Sequence, residues 1–253
     1  MLTIEHLSYS YGRLMALSDV TVRADSGCVI AALGPNAAGK STLLRCIIGA
    51  LRPSAGGVSL GGRPAHRMKP RAIAQRLAYV PQRSVVSAAF TVRQVVELGR
   101  YALSADPRRV DAAIERLDLA DVAERPYRAL SVGQQQRVTL ARVLAQISSD
   151  GVLVLDEPTS AMDLQHAAQT FRLLRELARG GATIIAAMHD LPAAAAIADE
   201  AWLLDRGRLV AGGVTCDVLA VERLRKVFGV GFAWLPDAAG RPRLLPDLPV
   251  EQT

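Results

Sequence analysis

Gly34-Pro-Asn-Ala-Ala-Gly39-Lys40-Ser41-Thr42 has the spacing at which a backbone loop, an ammonium group and a hydroxyl can close around phosphate. Glycines let backbone N–H groups approach the phosphate oxygens, and a helix opening near Lys40 adds its positive dipole end. Lys40 would neutralise the outer phosphates and Ser41 would ligate Mg²⁺. A chance glycine-rich turn is the alternative. The apolar run 28–33 before the loop, and Leu43, Leu44, Ile47 and Ile48 on one helical face after it, argue against that alternative.

A second constellation lies downstream, where Asp156 and Glu157 follow the apolar run 152–155. The C-terminal end of a buried parallel strand is where open α/β sheets place ligands. There Asp156 would hold Mg²⁺ through its hydration shell. Glu157 would polarise the water that attacks the γ-phosphate, a general-base contribution typically worth about 10² to 10⁴ in rate. A strand ending in a solvated acidic turn before Pro158 is the bland alternative, and the phosphate loop counts against it.

Leu130-Ser-Val-Gly-Gln134 supplies a third. Ser131 with Gln134 three residues on is a capping box, which needs only two of the five residues. Gly133 is a poor choice for a first helical turn unless something comes close to the backbone. A helix N-terminus with a bare glycine and a serine hydroxyl suits an anion. If a helical insertion separates it from the phosphate loop, that anion belongs to a second subunit.

The elements that must position these groups alternate along the chain. Runs 28–33, 76–82, 151–155 and 183–188 read as strands. Asp106-Pro107 caps a helix with Val110, Ala113, Ile114 and Leu117 on one face, and Ala167, Phe171, Leu174 and Ala178 stripe another that Gly180-Gly181 ends. This predicts an α/β fold with a mainly parallel sheet covered on both faces. An N-terminal antiparallel β subdomain is expected as well. The predicted organisation is a discontinuous nucleotide-binding core, 1–84 and 150–220, interrupted by a helical subdomain at 85–149. A tail at 221–253, with prolines 236, 242, 246 and 249, gives little pattern.

At 253 residues, half of them hydrophobic, the chain can bury a core without disulfides or structural metal. Cys28, Cys46 and Cys216 lack metal-ligand spacing and read as reduced core thiols. No secretory signal is visible, and no apolar run approaches the roughly 18–20 residues of a membrane span; residues 182–198 are broken by His189, Asp190 and Pro192. The net charge of +6 does not imply nucleic acid: only three lysines occur, arginines are spread throughout, and no aromatic-interleaved basic cluster is present.

Taken in order, these residues resemble the ABC ATPase family over nearly the whole chain. Gly34 to Thr42 is similar to its first nucleotide motif, Gln82 in Tyr79-Val-Pro-Gln82 to its glutamine loop, Leu130 to Gln134 to its signature, and Leu155-Asp-Glu-Pro158 to its second nucleotide motif. Ser160-Ala-Met-Asp163 is similar to the dimer-contact loop and Met188-His-Asp190 to the switch-histidine region. The resemblance implies a P-loop NTPase core and a head-to-tail homodimer with two ATP molecules between the subunits. Each ATP would be held by Gly34, Pro35, Asn36, Ala37, Ala38, Gly39, Lys40, Ser41, Thr42 and Asp156 of one subunit. Ser131, Gly133 and Gln134 of the other would close over it.

Tyr11 would stack on adenine, although a lone tyrosine there is equally a core residue. Gln82 would touch Mg²⁺ alongside Ser41 and Asp156 and report nucleotide state to the helical subdomain, where a membrane-spanning permease docks. His189 would position the γ-phosphate against Glu157, and Asp163 would bridge the two halves. His6, His66 and His166 keep a structural reading. The implied setting is peripheral, on the cytoplasmic face of the inner membrane, with an extracytoplasmic substrate-binding protein as an indirect partner.

Two departures from the family pattern matter. Ala37 replaces a usual glycine of the loop and Val132 the first of two signature glycines, each adding a side chain near phosphate; Met162 for leucine is a mild packing change. Thr91-Val-Arg93, Leu98-Gly-Arg-Tyr101 and Phe228-Gly229 resemble the import branch handling iron siderophores, haem or cobalamin. Metal-ion import and export of a small hydrophobic compound are the rival transport readings. Soluble ABC ATPases of repair or translation carry long coiled coils or two fused motors, and neither occurs here. A P-loop kinase or GTPase is disfavoured by the signature with Asp156-Glu157.

Overall fold

Strands with no polar alternation must be covered on both faces, and the central strands of this protein are of that kind. In the computed structural model, which describes residues 1–82, 86 and 88–247, β3 (Val29–Leu33), β7 (Val152–Asp156) and β8 (Thr183–Ala187) are buried at every position. Side chains alternate between two cores: Val29, Ala31 and Leu33 point to one, Ile30 and Ala32 to the other.

The chain starts with a sheet of its own. β1 (Leu2–Tyr11) pairs antiparallel with β2 (Leu14–Ala24) and with β4 (Ala55–Leu60), and the short β5 (Arg63–Pro64) completes the order β2-β1-β4-β5. Between β3 and β4 lies α1 (Lys40–Ile47), whose Leu43, Leu44 and Ile47 are buried in the core shared with β1, β2 and β4. α2 (Pro70–Ala74) leads to β6 (Leu77–Val80).

The helical stretch follows. It comprises α3 (Val92–Glu97), α4 (Pro107–Arg116) and α5 (Val132–Gln146). Asp106 accepts from the Arg109 N–H with Pro107 in the first turn, and Val110, Ala113 and Ile114 are buried, as the sequence predicts. α3 carries a second capping box, Thr91 with Gln94. The expected boundary at residue 84 lies outside the described residues, as does Pro249.

After β7 come α6 (Leu164–Arg179), β8, α7 (Leu191–Ile197), β9 (Glu200–Asp205) and β10 (Arg208–Val214). The main sheet has the order β10-β9-β3-β8-β7-β6, parallel except for the β9–β10 hairpin. This order brings the C-terminal ends of β3, β7 and β8 side by side. The expected α/β fold, with a mainly parallel main sheet and an antiparallel N-terminal sheet, is the one observed.

The tail has more structure than its sequence announces. α8 (Thr215–Val218) and α9 (Val221–Phe228) precede a hairpin of β11 (Gly231–Pro236) and β12 (Pro242–Asp247). Leu244 is buried and the Trp234 indole donates to the Leu219 carbonyl. Cysteine placement corrects the expectation of three core thiols: Cys46 is buried, Cys28 partly so, and Cys216 is exposed. Among the described residues no helix is long and apolar enough to cross a membrane.

Candidate functional site

Gly34 and Gly39 shape the loop between β3 and α1. Their φ values are +145° and +104°, and a Cβ on Gly34 would sit 2.2 Å from the Leu204 carbonyl oxygen. On Gly39 it would sit 2.8 Å from that of Ala16. Neither position admits a side chain. Lys40, 6% exposed, donates from Nζ to the carbonyls of Gly34 at 2.7 Å and Pro35 at 3.0 Å, so its charge is held inside the loop. Burial pushes the Lys40 ammonium below the usual lysine range, with the Glu157 and Asp156 carboxylates acting the other way.

Ala37 occupies the left-handed region at φ +62°. An alanine there carries a backbone penalty that glycine does not. Ala37→Gly should therefore raise the unfolding free energy of the nucleotide-free chain by about 0.5–1 kcal/mol, the left-handed cost less the extra chain entropy that glycine loses. Denaturant midpoints check this, and an unchanged or lower midpoint contradicts the strain assigned to Ala37.

β7 ends on Asp156, which is 3% exposed and accepts from the Ser41 hydroxyl at 3.2 Å. Burial raises its pKa; the Ser41 hydrogen bond opposes this, Glu157 adds to it, and Arg45 and Lys40 lower it. A cation beside the carboxylate would relieve that burial cost. The pair Ser41 and Asp156 offers hard oxygen donors with one carboxylate, the donor set Mg²⁺ accepts when phosphates complete its shell. Among the described residues no three His, Cys, Asp or Glu gather as a metal cluster.

Glu157 has a left-handed backbone at φ +52°, anchored by its N–H to the Ala187 carbonyl at 3.1 Å. Gln82 Nε2 donates to Glu157 Oε2 at 2.6 Å, and His189 Nε2 contacts Oε1 of the same carboxylate. Residues from three segments, after β6, β7 and β8, thus meet on one carboxylate. They line a cleft of about 670 Å³ together with residues 36–42 of the phosphate loop and Tyr11. Tyr11 is 42% exposed and edge-on to Tyr9 with ring centres 4.9 Å apart. It is a cleft residue, not a core one.

The cleft also contains Leu14, Met15, Ala16, Arg206 and Gly207. Sequence reasoning missed these. Arg206 and Gly207 form the β9–β10 turn, brought in by sheet order and by the Gly207 N–H bond to the Ala38 carbonyl at 3.0 Å, which no local pattern signals.

Ser131, Gly133, Gln134 and Asp163 are not brought into this cleft. Ser131 caps α5: its Oγ accepts from the Gln134 N–H at 3.3 Å, and its own N–H donates to Gln134 Oε1 at 3.0 Å. Gly133 has a reason within the chain, since a Cβ there would approach the Ala161 carbonyl to 3.0 Å. Its bareness alone therefore does not require a second subunit. Val132 is 68% exposed at the helix tip. Asp163 caps α6, accepting from the His166 N–H at 2.8 Å, while the His166 ring contacts the same carboxylate.

The sequence profile of the ABC transporter family matches residues 17–160. The hemin import ATP-binding protein HmuV of Rhodopseudomonas palustris (strain BisB18) is 40% identical over 255 residues, covering 98% of this chain and 95% of the relative. That of Pseudomonas entomophila (strain L48) is 42% identical over 237 residues, covering 91% and 93%. A solved ATP-binding subunit of an ABC transporter superposes with a TM-score of 0.79 at 26% identity, covering 90% of this chain and 93% of that one. With the phosphate loop, the carboxylate at the end of β7 and this likeness across almost its whole length, the chain belongs to the ABC transporter family as an ATP-binding subunit whose ATPase activity powers transport.

Proposed function

We propose that this chain is the ATP-hydrolysing subunit of a hemin importer and works as a homodimer bound peripherally to a membrane-spanning permease at the inner face of the membrane. The observation that carries the hydrolytic reading is the convergence of Gln82, Glu157 and His189 at the mouth of the phosphate loop. In this reading residues 34–42 cradle the triphosphate, Lys40 neutralises its outer charge, and Tyr11 supports adenine. Ser41, Asp156 and the Gln82 amide oxygen would hold Mg²⁺, which when bound neutralises charge on the β- and γ-phosphates.

Glu157 takes the proton of the attacking water, and His189 holds the γ-phosphate in line. Ser131, Gly133 and Gln134 sit at an exposed helix tip, so they serve the triphosphate of the opposing subunit, with Asp163 at the contact between halves. The helical stretch 85–149 is the part that meets the permease, and the core 1–84 and 150–220 holds nucleotide. An extracytoplasmic binding protein would deliver cargo to the permease.

Hemin as cargo rests on relatives at 40 and 42% identity named hemin import proteins. The test is uptake into proteoliposomes containing this chain, the permease that co-purifies with it, an extracytoplasmic binding protein and Mg-ATP. Hemin should accumulate only with ATP. Uptake of a ferric siderophore or cobalamin but not hemin contradicts the cargo assignment.

A further inference from the structure

Gln136 lies in the second turn of α5, and neither the phosphate loop nor the capping box uses it. It is a polar side chain only 7% exposed, which requires that its amide be satisfied. Its Nε2 donates to the Glu157 carbonyl at 3.1 Å, and its Oε1 accepts from the Ala161 N–H at 3.3 Å. One amide therefore grips both ends of the segment 157–161.

The grip falls on a strained position. Glu157 is held at φ +52°, a conformation that persists only where surroundings over-determine it. Its N–H is fixed by Ala187, and its carbonyl accepts from Gln136, from the Ser160 N–H at 3.3 Å and from Ser160 Oγ at 3.1 Å. The same carboxylate meets Gln82 and His189. Gly133, one turn earlier on α5, allows the Ala161 carbonyl to approach, so helix and segment touch at two levels.

We propose that Gln136 is a positioning residue that fixes the backbone of Glu157 and yokes it to the Ser131 end of α5. The proposal rests on the reading in which Ser131 serves the opposing subunit's nucleotide and Glu157 its own. A rigid link between them makes closure at one site felt at the carboxylate of the other. The coupling is carried by hydrogen bonds within one subunit and needs no large movement.

The test compares the chain with Gln136→Met, which keeps length and loses both hydrogen bonds, and with Gln136→Asn, which keeps the amide one methylene shorter. Glu157→Gln is measured in parallel. Gln136→Met should lower kcat roughly 10- to 100-fold with ATP affinity within about twofold, and should bring the Hill coefficient for ATP from about 2 towards about 1. Gln136→Asn should show the same split to a smaller extent, and it carries the test if the methionine variant does not fold. Wild-type rate in a folded variant overturns the proposal. So does a slowed rate with an unchanged Hill coefficient, which removes the coupling, or a rate loss matched by lost nucleotide affinity, which marks general loosening. If Glu157→Gln itself turns over normally, the hydrolytic reading fails instead; if it is slow while Gln136→Met is not, only the role of Gln136 fails.

Discussion

Glu157→Gln is expected to slow ATP turnover by about 10²- to 10⁴-fold while leaving ATP binding intact. Glutamine keeps the size of the side chain and its ability to accept a hydrogen bond, but cannot take a proton from water at neutral pH. The backbone contacts to Ala187, Gln136 and Ser160 are independent of the side chain and should survive. The variant should therefore accumulate as an ATP-bound dimer. Single-turnover hydrolysis with light scattering for dimer mass checks both halves, and normal turnover means that Glu157 is not the base.

Lys40→Ala should weaken ATP binding by 2–5 kcal/mol, about 30- to several-thousand-fold, the usual cost of truncating one partner of a buried charge pair. The ammonium is almost fully enclosed and already held by two loop carbonyls, so it meets a phosphate with little reorganisation. Burial lowers its pKa in the free chain, which means that the fold bears the cost of that charge. Alanine removes the cost, so the variant should remain folded. Calorimetric titration with ATP and a thermal melt distinguish lost affinity from lost structure. Affinity within a few-fold of the parent contradicts the phosphate-loop assignment.

Much of the catalytic half of the cleft is legible in the sequence because local motifs coincide with local structure. The loop at 34–42 is legible from the spacing of its glycines, Lys40 and Ser41, although the Leu204 and Ala16 carbonyls that exclude side chains at Gly34 and Gly39 come from distant segments, and an apolar run followed by two acids places Asp156 and Glu157 at a strand end. The rest depends on distance in space. Arg206 and Gly207 reach the cleft because β9 pairs with β3, and nothing within residues 200–210 encodes that partner. The strand at 183–188 is legible up to the break at His189, Asp190 and Pro192, but the alanines of 193–196 mark no apolar face, so α7 goes unread. The tail gives little pattern in the sequence, yet Pro236, Pro242 and Pro246 fit a two-stranded hairpin whose outer edges need no donor.

Gly133 carries a sharper lesson. From the sequence its lack of a side chain points to a ligand, whereas in the fold the Ala161 carbonyl supplies a local cause. The dimeric reading must stand on Ser131 and on where the helix tip goes when nucleotide binds.

A structure of the Glu157→Gln chain with Mg-ATP addresses that point most directly. We expect a two-fold assembly in which the Ser131 hydroxyl lies within hydrogen-bonding distance of a γ-phosphate cradled by the opposing subunit's loop. An ATP-bound form in which Ser131 faces only solvent, with each nucleotide enclosed by a single chain, would contradict it.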